Sequence, residues 1–440
     1  MLFYCRKGKD REMKRLVVSA LAGLLALSVL SGCGSKEKTS NIVRVACTNV
    51  QPTLDHTKGY DGWQIVRYGI GQTVVRYDNE CNIVPWLCEF KDGVFTVTEG
   101  SKFSDGSLVT AKDIIASIED SCAKNPRAKE MLKGASWKVL NDKQFEFKGV
   151  KDVLTEPVFS ICKNGNVYTG GKIISHNSSK TIVSRGNATY EYNACNEAVV
   201  RGMAYKKGEV DVALDVPTAY YDKSVQEIKG LRTVRAFMNM RPGRALSDIN
   251  CRKALVYGMN IEEWEKSLQG ILKIGRSYSP VTKSSYTYDL AKAKKLLGDK
   301  KLTLDMYYCA GTRQEIQTIA ESTQAAASKL GVQIKLNNVS YERLRDIAMK
   351  GHYDIILSSA TNIQNGTVAG FFRMNFASDS SENTTGYSSK EFDNAKSLQE
   401  YQDIIDKDCL AIVYGYPVRN VVSKKPIGKL GPVDFYYPEF

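Results

Sequence analysis

Apolar residues between positions 302 and 358 follow two alternating periods. Leu302, Leu304 and Met306 fall on every second position, the period of a half-buried strand, and 313–330 has helical spacing and stops at Gly331. Val332, Ile334 and Leu336 repeat the strand pattern, 341–350 repeats the helix, and 353–357 supplies a third strand. The order β-α-β-α-β predicts a mixed or parallel sheet with helices packed on it. Earlier, Ile42-Val43-Arg44-Val45-Ala46 reads as a strand, and 64–77 mixes both periods before ending in Thr73-Val74-Val75-Arg76-Tyr77. Phe103-Ser104-Asp105-Gly106 is a tight turn. Thr110 then starts a helix, with Asp113 three residues on as in a capping box and Ile114, Ile115 and Ile118 as its buried stripe. Trp86, inside an apolar run, reads as core, and the Ser/Asn/Thr-rich stretch 377–389 as a surface loop.

One apolar run differs from these. Residues 16–30 are continuously apolar over about 15 positions, short of the roughly 20 that span a bilayer. Lys14 and Arg15 precede the run and Leu30-Ser31-Gly32-Cys33 follows it, the layout of a secretory leader. The ending resembles a bacterial lipobox, which implies that Cys33 is acylated and becomes the mature N-terminus. Several acyl chains anchor stably where one is marginal. Gly34 to Ser40 is small and polar, as a tether should be. Met13 reads as the start, or else the n-region is unusually long. The expected location is the extracytoplasmic face of the cell membrane. No second apolar run approaches 18 residues, and the roughly 400 residues after the leader suit two or three domains.

Charge and cysteine content narrow the function. The formal net charge is +13, but an exported chain without a cluster of five or more Lys/Arg is no nucleic-acid binder. An anionic envelope or ligand fits this charge, as does a scattered solvated basic face. Eleven cysteines less Cys5 and Cys33 leave nine, an odd number, with no C-x-x-C and with Cys81 and Cys88 too far apart for a zinc knuckle. They read as small buried hydrophobes, which suits an anoxic exterior. No G-x-S-x-G, H-E-x-x-H, Walker A or Rossmann fingerprint occurs, so a binding module is expected rather than an enzyme. Of the three histidines, His56 is the one candidate metal contact.

Several segments, in order along almost the whole mature chain, resemble the extracellular solute-binding proteins of family 5, the peptide/nickel class serving ABC importers. Thr53-Leu54-Asp55 is similar to that family's "TLDP" element, and Val74 to Asp78 with Ile83 to Leu87 to "LVRYD…IVPWLAE". Lys102 to Gly106 with Thr110 to Ile114 resembles "KFSDG…TAEDV", the most specific pair because turn and capped helix stand at family spacing. Lys207 to Ala213 resembles "SGEVDVA", Ser247 to Asn260 resembles "SD..VRQAL..AID", and Tyr288 to Leu297 resembles "YDPEKAKKLL". The chain departs from the pattern at "GTGPY", which appears here as Tyr168-Thr169-Gly170-Gly171-Lys172.

The resemblance implies an α/β, two-lobed periplasmic-binding-protein fold (type II, large class) with an extra small domain inserted in the N-terminal lobe. Lobe I would comprise 41–62, 158–245 and 410–440, the inserted domain 63–157 and lobe II 246–409. It also implies a monomeric receptor that closes on a small solute and delivers it to a permease and ATPase complex, with membrane contact through the lipid. The solute would be a nickel chelate or a short peptide. Peptide-binding members carry an acidic residue just past the strand matching 353–357, and Ser358 to Gly366 has none, which tilts the reading to the nickel type. The implied ligand contacts are Tyr60, Asp61, Trp63, Arg67, Arg127, Thr361, Asn362 and Tyr387. Arg127 would hold a chelate carboxylate through its planar fork. No cofactor is expected beyond nickel within a chelate. The alternatives are a signalling-peptide receptor uncoupled from transport, or a decayed paralogue that binds nothing.

Overall fold

In the computed structural model, which describes residues 41–48, 50, 53–59, 61–310, 314–364 and 367–431, the segment with the plainest pattern folds as expected. Strands Thr303–Tyr308, Gln333–Asn338 and Ile355–Thr361 alternate with helices Gln314–Ser328 and Tyr341–Lys350. The first strand lies between the other two and is parallel to both. Gly331 takes φ +79°, which lets the chain leave the first helix, and the Ser340 hydroxyl caps the second by accepting from the Arg343 amide. The inward positions Leu304, Met306, Ile319, Ile334 and Ile355 share one apolar cluster. That burial is what commits the alternation to one face of the sheet.

This parallel group is one end of a 12-stranded sheet. The other end is built from Lys172–His176, Lys180–Arg185, Ala188–Ala194, Asn41–Cys47 and Val212–Leu214. A single 13-residue strand, Ala411–Ser423, joins the two ends. Its C-terminal part pairs with Val212–Leu214 (Val212 opposite Ser423), and its N-terminal part with Arg232–Met238 (Phe237 opposite Ala411). Residues 226–238 run antiparallel along one edge of it, first as Gln226–Lys229 and then as Arg232–Met238. The connection between the halves is therefore a two-stranded ribbon.

The ribbon is anchored at its ends and looser in the middle. Residues 411–416 and 420–423 are buried, whereas 417–419 are half-buried. The register slips between Val234 and Arg235, where Tyr414 is the extra residue on the long strand, a β-bulge. Tyr414 is fully buried, its ring stacked on Trp264 with centroids 5.8 Å apart. Gly415 follows at φ +143°, and a Cβ there would stand 2.1 Å from the Lys273 carbonyl oxygen. Only glycine lets Leu272–Ile274 approach that edge.

A separate four-stranded antiparallel sheet, Cys88–Lys91, Val94–Val97, Gln144–Lys148 and Ser136–Asn141 in that order, has its own apolar cluster. Helix Ala111–Lys124 covers it with Ile114, Ile115 and Ile118. The capping box forms as expected: the Thr110 hydroxyl accepts from the Asp113 amide (3.2 Å) and the Asp113 carboxylate from the Thr110 amide (2.9 Å).

Strand Arg232–Met238 lies within the second half of the sheet, so the crossing between the halves of the sheet falls at 230–231. By the same pairing 411–415 pairs within the second half. The structure corrects two expectations. The 377–389 stretch has no regular element but is not merely a surface loop. Ala377 and Thr385 are fully buried, and the Thr385 carbonyl accepts from the Met240 amide at 2.8 Å. Trp86 is half-buried rather than core. All nine described cysteines are free thiols, five of them buried, and burial pushes the Cys88 thiol up to about 12.

Gly415→Ala is expected to destabilise the protein by about 1–3 kcal/mol through a forced shift of the Lys273 backbone. Urea unfolding followed by circular dichroism measures it, and an unchanged midpoint would mean that the ribbon tolerates the extra methyl.

Candidate functional site

Loop 53–59 and the start of helix Pro126–Met131 enclose a cleft of about 710 Å³, lined by Asp55, Thr57, Lys58, Gly59, Lys124, Asn125, Pro126 and Arg127. Asn125 builds its floor. The side-chain oxygen of Asn125 accepts from the amides of Arg127 (2.9 Å) and Ala128 (3.2 Å), and its Nδ2 donates to the Thr57 carbonyl (2.9 Å). One residue thus caps the helix and ties the loop to it. The Asp55 carboxylate accepts from the Thr57 amide and hydroxyl, an Asx turn. Partial burial pushes the Asp55 carboxyl up, but those two bonds outweigh it, with His56 and Lys58 adding to them, and hold it below its ordinary range.

His56 lies beneath this loop and is 3% exposed. Its Nδ1 is 3.1 Å from the Tyr168 hydroxyl and its Nε2 is 3.2 Å from Ser121 Oγ. Ser121 Oγ donates to the Ser117 carbonyl and the Tyr168 hydroxyl to the Leu54 carbonyl (3.0 Å), so each of these oxygens faces a ring nitrogen with its own proton directed elsewhere. Both ring nitrogens of the candidate metal contact thus face hydroxyl groups inside the protein rather than an open cleft. Among the described residues, no group of three or more His, Cys, Asp and Glu is placed to hold a metal ion. Burial pushes the imidazole down to about 4, against the pull of Asp55 and Asp120.

The other expected contacts divide. Tyr60 and Cys33 lie outside the described residues. Asp61 accepts from the Thr53 hydroxyl at 2.5 Å and sits at the N-terminus of helix Gly62–Arg67. Trp63 and Arg67 are half-buried one turn apart on that helix, with the guanidinium 6.0 Å from the ring centre. Arg127 lines the cleft, but its Nη2 donates at 2.8 Å to Glu156, a carboxylate only 1% exposed. The carboxylate expected from a ligand is thus already supplied internally. Thr361 ends its strand opposite Arg232. Asn362 is fully buried, with Nδ2 donating to Thr233 Oγ1 at 3.0 Å, and so is corrected to an interior residue. Tyr387 is half-buried: its ring stands edge-on to Phe376 and its hydroxyl donates to Asp408 at 2.5 Å.

A second locus was missed. Where the two halves meet, Val66 and Tyr77 from the first share an apolar cluster with Phe237, Tyr278, Phe371, Phe372 and Phe376 from the second. Arg235 stands in this aromatic surround, 2% exposed. The signal was available in the sequence: Val234-Arg235-Ala236-Phe237 puts one cation inside an otherwise apolar strand.

The buried His56 sets a pH dependence. The unfolded chain binds a proton near pH 6.5 while the folded chain resists until about pH 4, so stability falls as pH drops through that window. This one group is expected to contribute about 3 kcal/mol of the acid loss. Urea unfolding at pH 7, 5.5 and 4 should show a shallower acid slope for His56→Gln than for the wild type.

The sequence profile for the middle region of bacterial extracellular solute-binding proteins, family 5, matches residues 187–383. The chain is 21% identical over 329 residues to the probable D,D-dipeptide-binding periplasmic protein DdpA of Escherichia coli strain K12, over 61% of this chain and 62% of that one. The match therefore spans less than two thirds of that relative's length. Among solved structures, a nickel ABC transporter from Bacillus halodurans superposes with a TM-score of 0.74 at 17% identity, covering 87% of this chain and 95% of that one. NikA from Brucella suis in complex with Fe(III)-EDTA gives 0.73 at 15% identity, with 90% and 99% covered. The unliganded open form of the periplasmic murein tripeptide-binding protein MppA gives 0.75 at 17%, with 91% and 97% covered. At these identities the structures speak to fold, and the fold is the two-lobed α/β architecture of periplasmic binding proteins. With that architecture, the chain is similar over residues 187–383 to the middle region of the bacterial extracellular solute-binding proteins, family 5.

Proposed function

We propose that the protein is a solute-binding receptor of an ABC importer, held on the extracytoplasmic face of the membrane by lipid on Cys33 and the tether 34–40. It closes two lobes about the ribbon of 226–238 and 411–423 and hands the solute to a permease and ATPase complex. The four-stranded sheet within 63–157 is the inserted small domain of this reading. The observation that carries it is the shared strand: two sheets joined through one ribbon with a half-buried middle are built to bend there. Nothing in the reading requires catalysis.

The solute class in this reading is a short peptide or a nickel chelate. The match to a probable D,D-dipeptide-binding protein favours the first, and the likeness to a nickel transporter structure is compatible with the second. A chelated ion would bring its donors with it, so the protein need supply only walls and charge, and Trp63, Arg67 and Tyr60 remain the proposed contacts of the first lobe.

A thermal-shift panel on residues 34–440 tests the reading with D-alanyl-D-alanine, tri-alanine, Ni²⁺ alone and Ni²⁺ with histidine. A ligand at 100 times its Kd adds roughly 2.7 kcal/mol. At least one solute is expected to raise Tm and to reduce the radius of gyration in X-ray scattering. A flat response in both measurements across the panel would count against the receptor reading.

A further inference from the structure

Helix Ala198–Lys207 is held to the protein by one side only. On the inner side Arg201 donates to the carbonyls of Leu214, Cys195, Asn196 and Asp215 at 2.6–2.9 Å, and Tyr205 is buried. Gly202 lies so near the Tyr220 ring that a Cβ would stand 2.3 Å from it. The outer side is unusual. Val199, Val200 and Met203 are 51, 49 and 43% exposed, and spacings of three, four and seven residues put them on one face with the exposed Lys206 and Lys207. A helix packed on a sheet normally turns its apolar residues inward. Among the described residues no other helix leaves three large apolar side chains exposed.

The basic end of this face continues beyond the helix. Lys424 is exposed with its Nζ 5.2 Å from the Tyr205 ring, and Lys206 Nζ is 5.4 Å from the Tyr220 ring. The rings hold the lysine stems to the surface while the ammonium groups stay in water. Of the surrounding carboxylates, Asp211 accepts from the Arg44 amide, and Asp222 accepts from the Tyr205 hydroxyl and the Ser224 amide. That leaves Lys206, Lys207, Lys424 and Lys425 against Glu197, at the far end of the helix, and Glu209, 3.9 Å from Lys207.

The chain enters the sheet beside this face. Strand Asn41–Cys47 runs parallel to Val212–Leu214, the strand that follows the helix, with Val45 opposite Val212. The Asp211 amide donates to the Arg44 carbonyl, and the Lys424 amide to the Asp211 carbonyl, both at 2.8 Å. Arg44, Asp211 and Lys424 thus form one row at the edge of the sheet where the helix ends and residue 41 begins. Seven residues separate Cys33 from residue 41, and seven extended residues reach at most about 25 Å. A lipid on Cys33 would hold this edge near the bilayer. Lysines set beside exposed apolar side chains are the complement of an anionic lipid surface.

We propose that the face of Val199, Val200, Met203, Lys206, Lys207 and Lys424 docks on an anionic lipid surface, so that the tethered receptor rests with this face against the membrane. The placement near the bilayer rests on the Cys33 anchor of the receptor reading above. The docking itself belongs to the folded chain and is testable without the lipid.

Co-sedimentation of residues 34–440 with vesicles tests it, comparing phosphatidylcholine alone with phosphatidylcholine–phosphatidylglycerol mixtures. The wild type is expected to partition about ten-fold or more in favour of the anionic vesicles, and added salt is expected to weaken this. The triple variant Lys206→Glu, Lys207→Glu, Lys424→Glu is expected to lose the preference. A control with the same charge change on the second half, Lys294→Glu, Lys295→Glu, Lys335→Glu, is expected to keep most of it. Val199→Ser, Val200→Ser, Met203→Ser is expected to weaken partition several-fold with its salt dependence unchanged. All nine positions are exposed, and an unchanged urea midpoint verifies the fold of each variant. Equal losses in the two charge-reversed variants would reduce the effect to net charge and overturn the proposal. Equal partition to both kinds of vesicle would overturn it too. Self-association that the serine variant abolishes, with vesicles ignored, would assign the face to a second copy of the chain and overturn it as well. Solute-induced Tm shifts in a protein that ignores vesicles would leave the receptor reading standing. Vesicle docking lost only in the face variants, with a flat solute panel, would support the docking face and count against that reading.

Discussion

One strand, Ala411–Ser423, imposes its register on both halves of the sheet, and the rest of the architecture has to accommodate it. Antiparallel pairing along residues 226–238 allows no independent slip, because shifting one half by a residue would turn its buried side chains to the opposite face. The protein absorbs the mismatch locally. Tyr414 bulges into the second half's core, Gly415 lets the Leu272–Ile274 edge approach, and Gly230 and Leu231 interrupt the partner strand. What is left in the middle, 417–419, is the least buried part of the strand. Both ends are held in separate apolar clusters.

The polar interior shows the same economy. Buried His56, Asn125, Arg201 and Arg252 each have their donors or acceptors filled by neighbours. An unmet buried polar group costs the full loss of its hydration, so a satisfied one is a structural part and says nothing of ligands. By that standard the first cleft is largely self-contained: Arg127 is held by Glu156, and Asn125 is spent on a cap and a loop. Arg235 is a buried cation held by the Tyr278 hydroxyl and two phenylalanine rings, with only its Nε left without a hydrogen-bond partner among the described residues.

Much of the architecture could be read along the chain. The β-α-β-α-β segment from 302 to 361 came from period alone, and the Thr110–Asp113 box from four adjacent residues, because each signal is local: side-chain spacing and a cap act within one or two turns. The site was less readable. Asn362 and Tyr387 were expected as ligand contacts from the resemblance, yet Thr233, distant in sequence, and Asp408 claim their polar groups. Arg235 was overlooked for the mirror reason: its strand reads as core, and core strands are scanned for apolar residues.

The sequence by itself determined the strand and helix spacing and the capped helix. Each of these rests on short-range pattern, which survives without knowing what lies across the sheet. Tertiary structure alone decided where the halves cross, at 230–231 and within 411–423, since strand pairing is a long-range choice that leaves no mark in the apolar period. It also decided which polar side chains are spoken for, because a hydrogen-bond partner more than 100 residues away, as Tyr168 is for His56 and Asp215 for Arg419, exists only once the chain has folded.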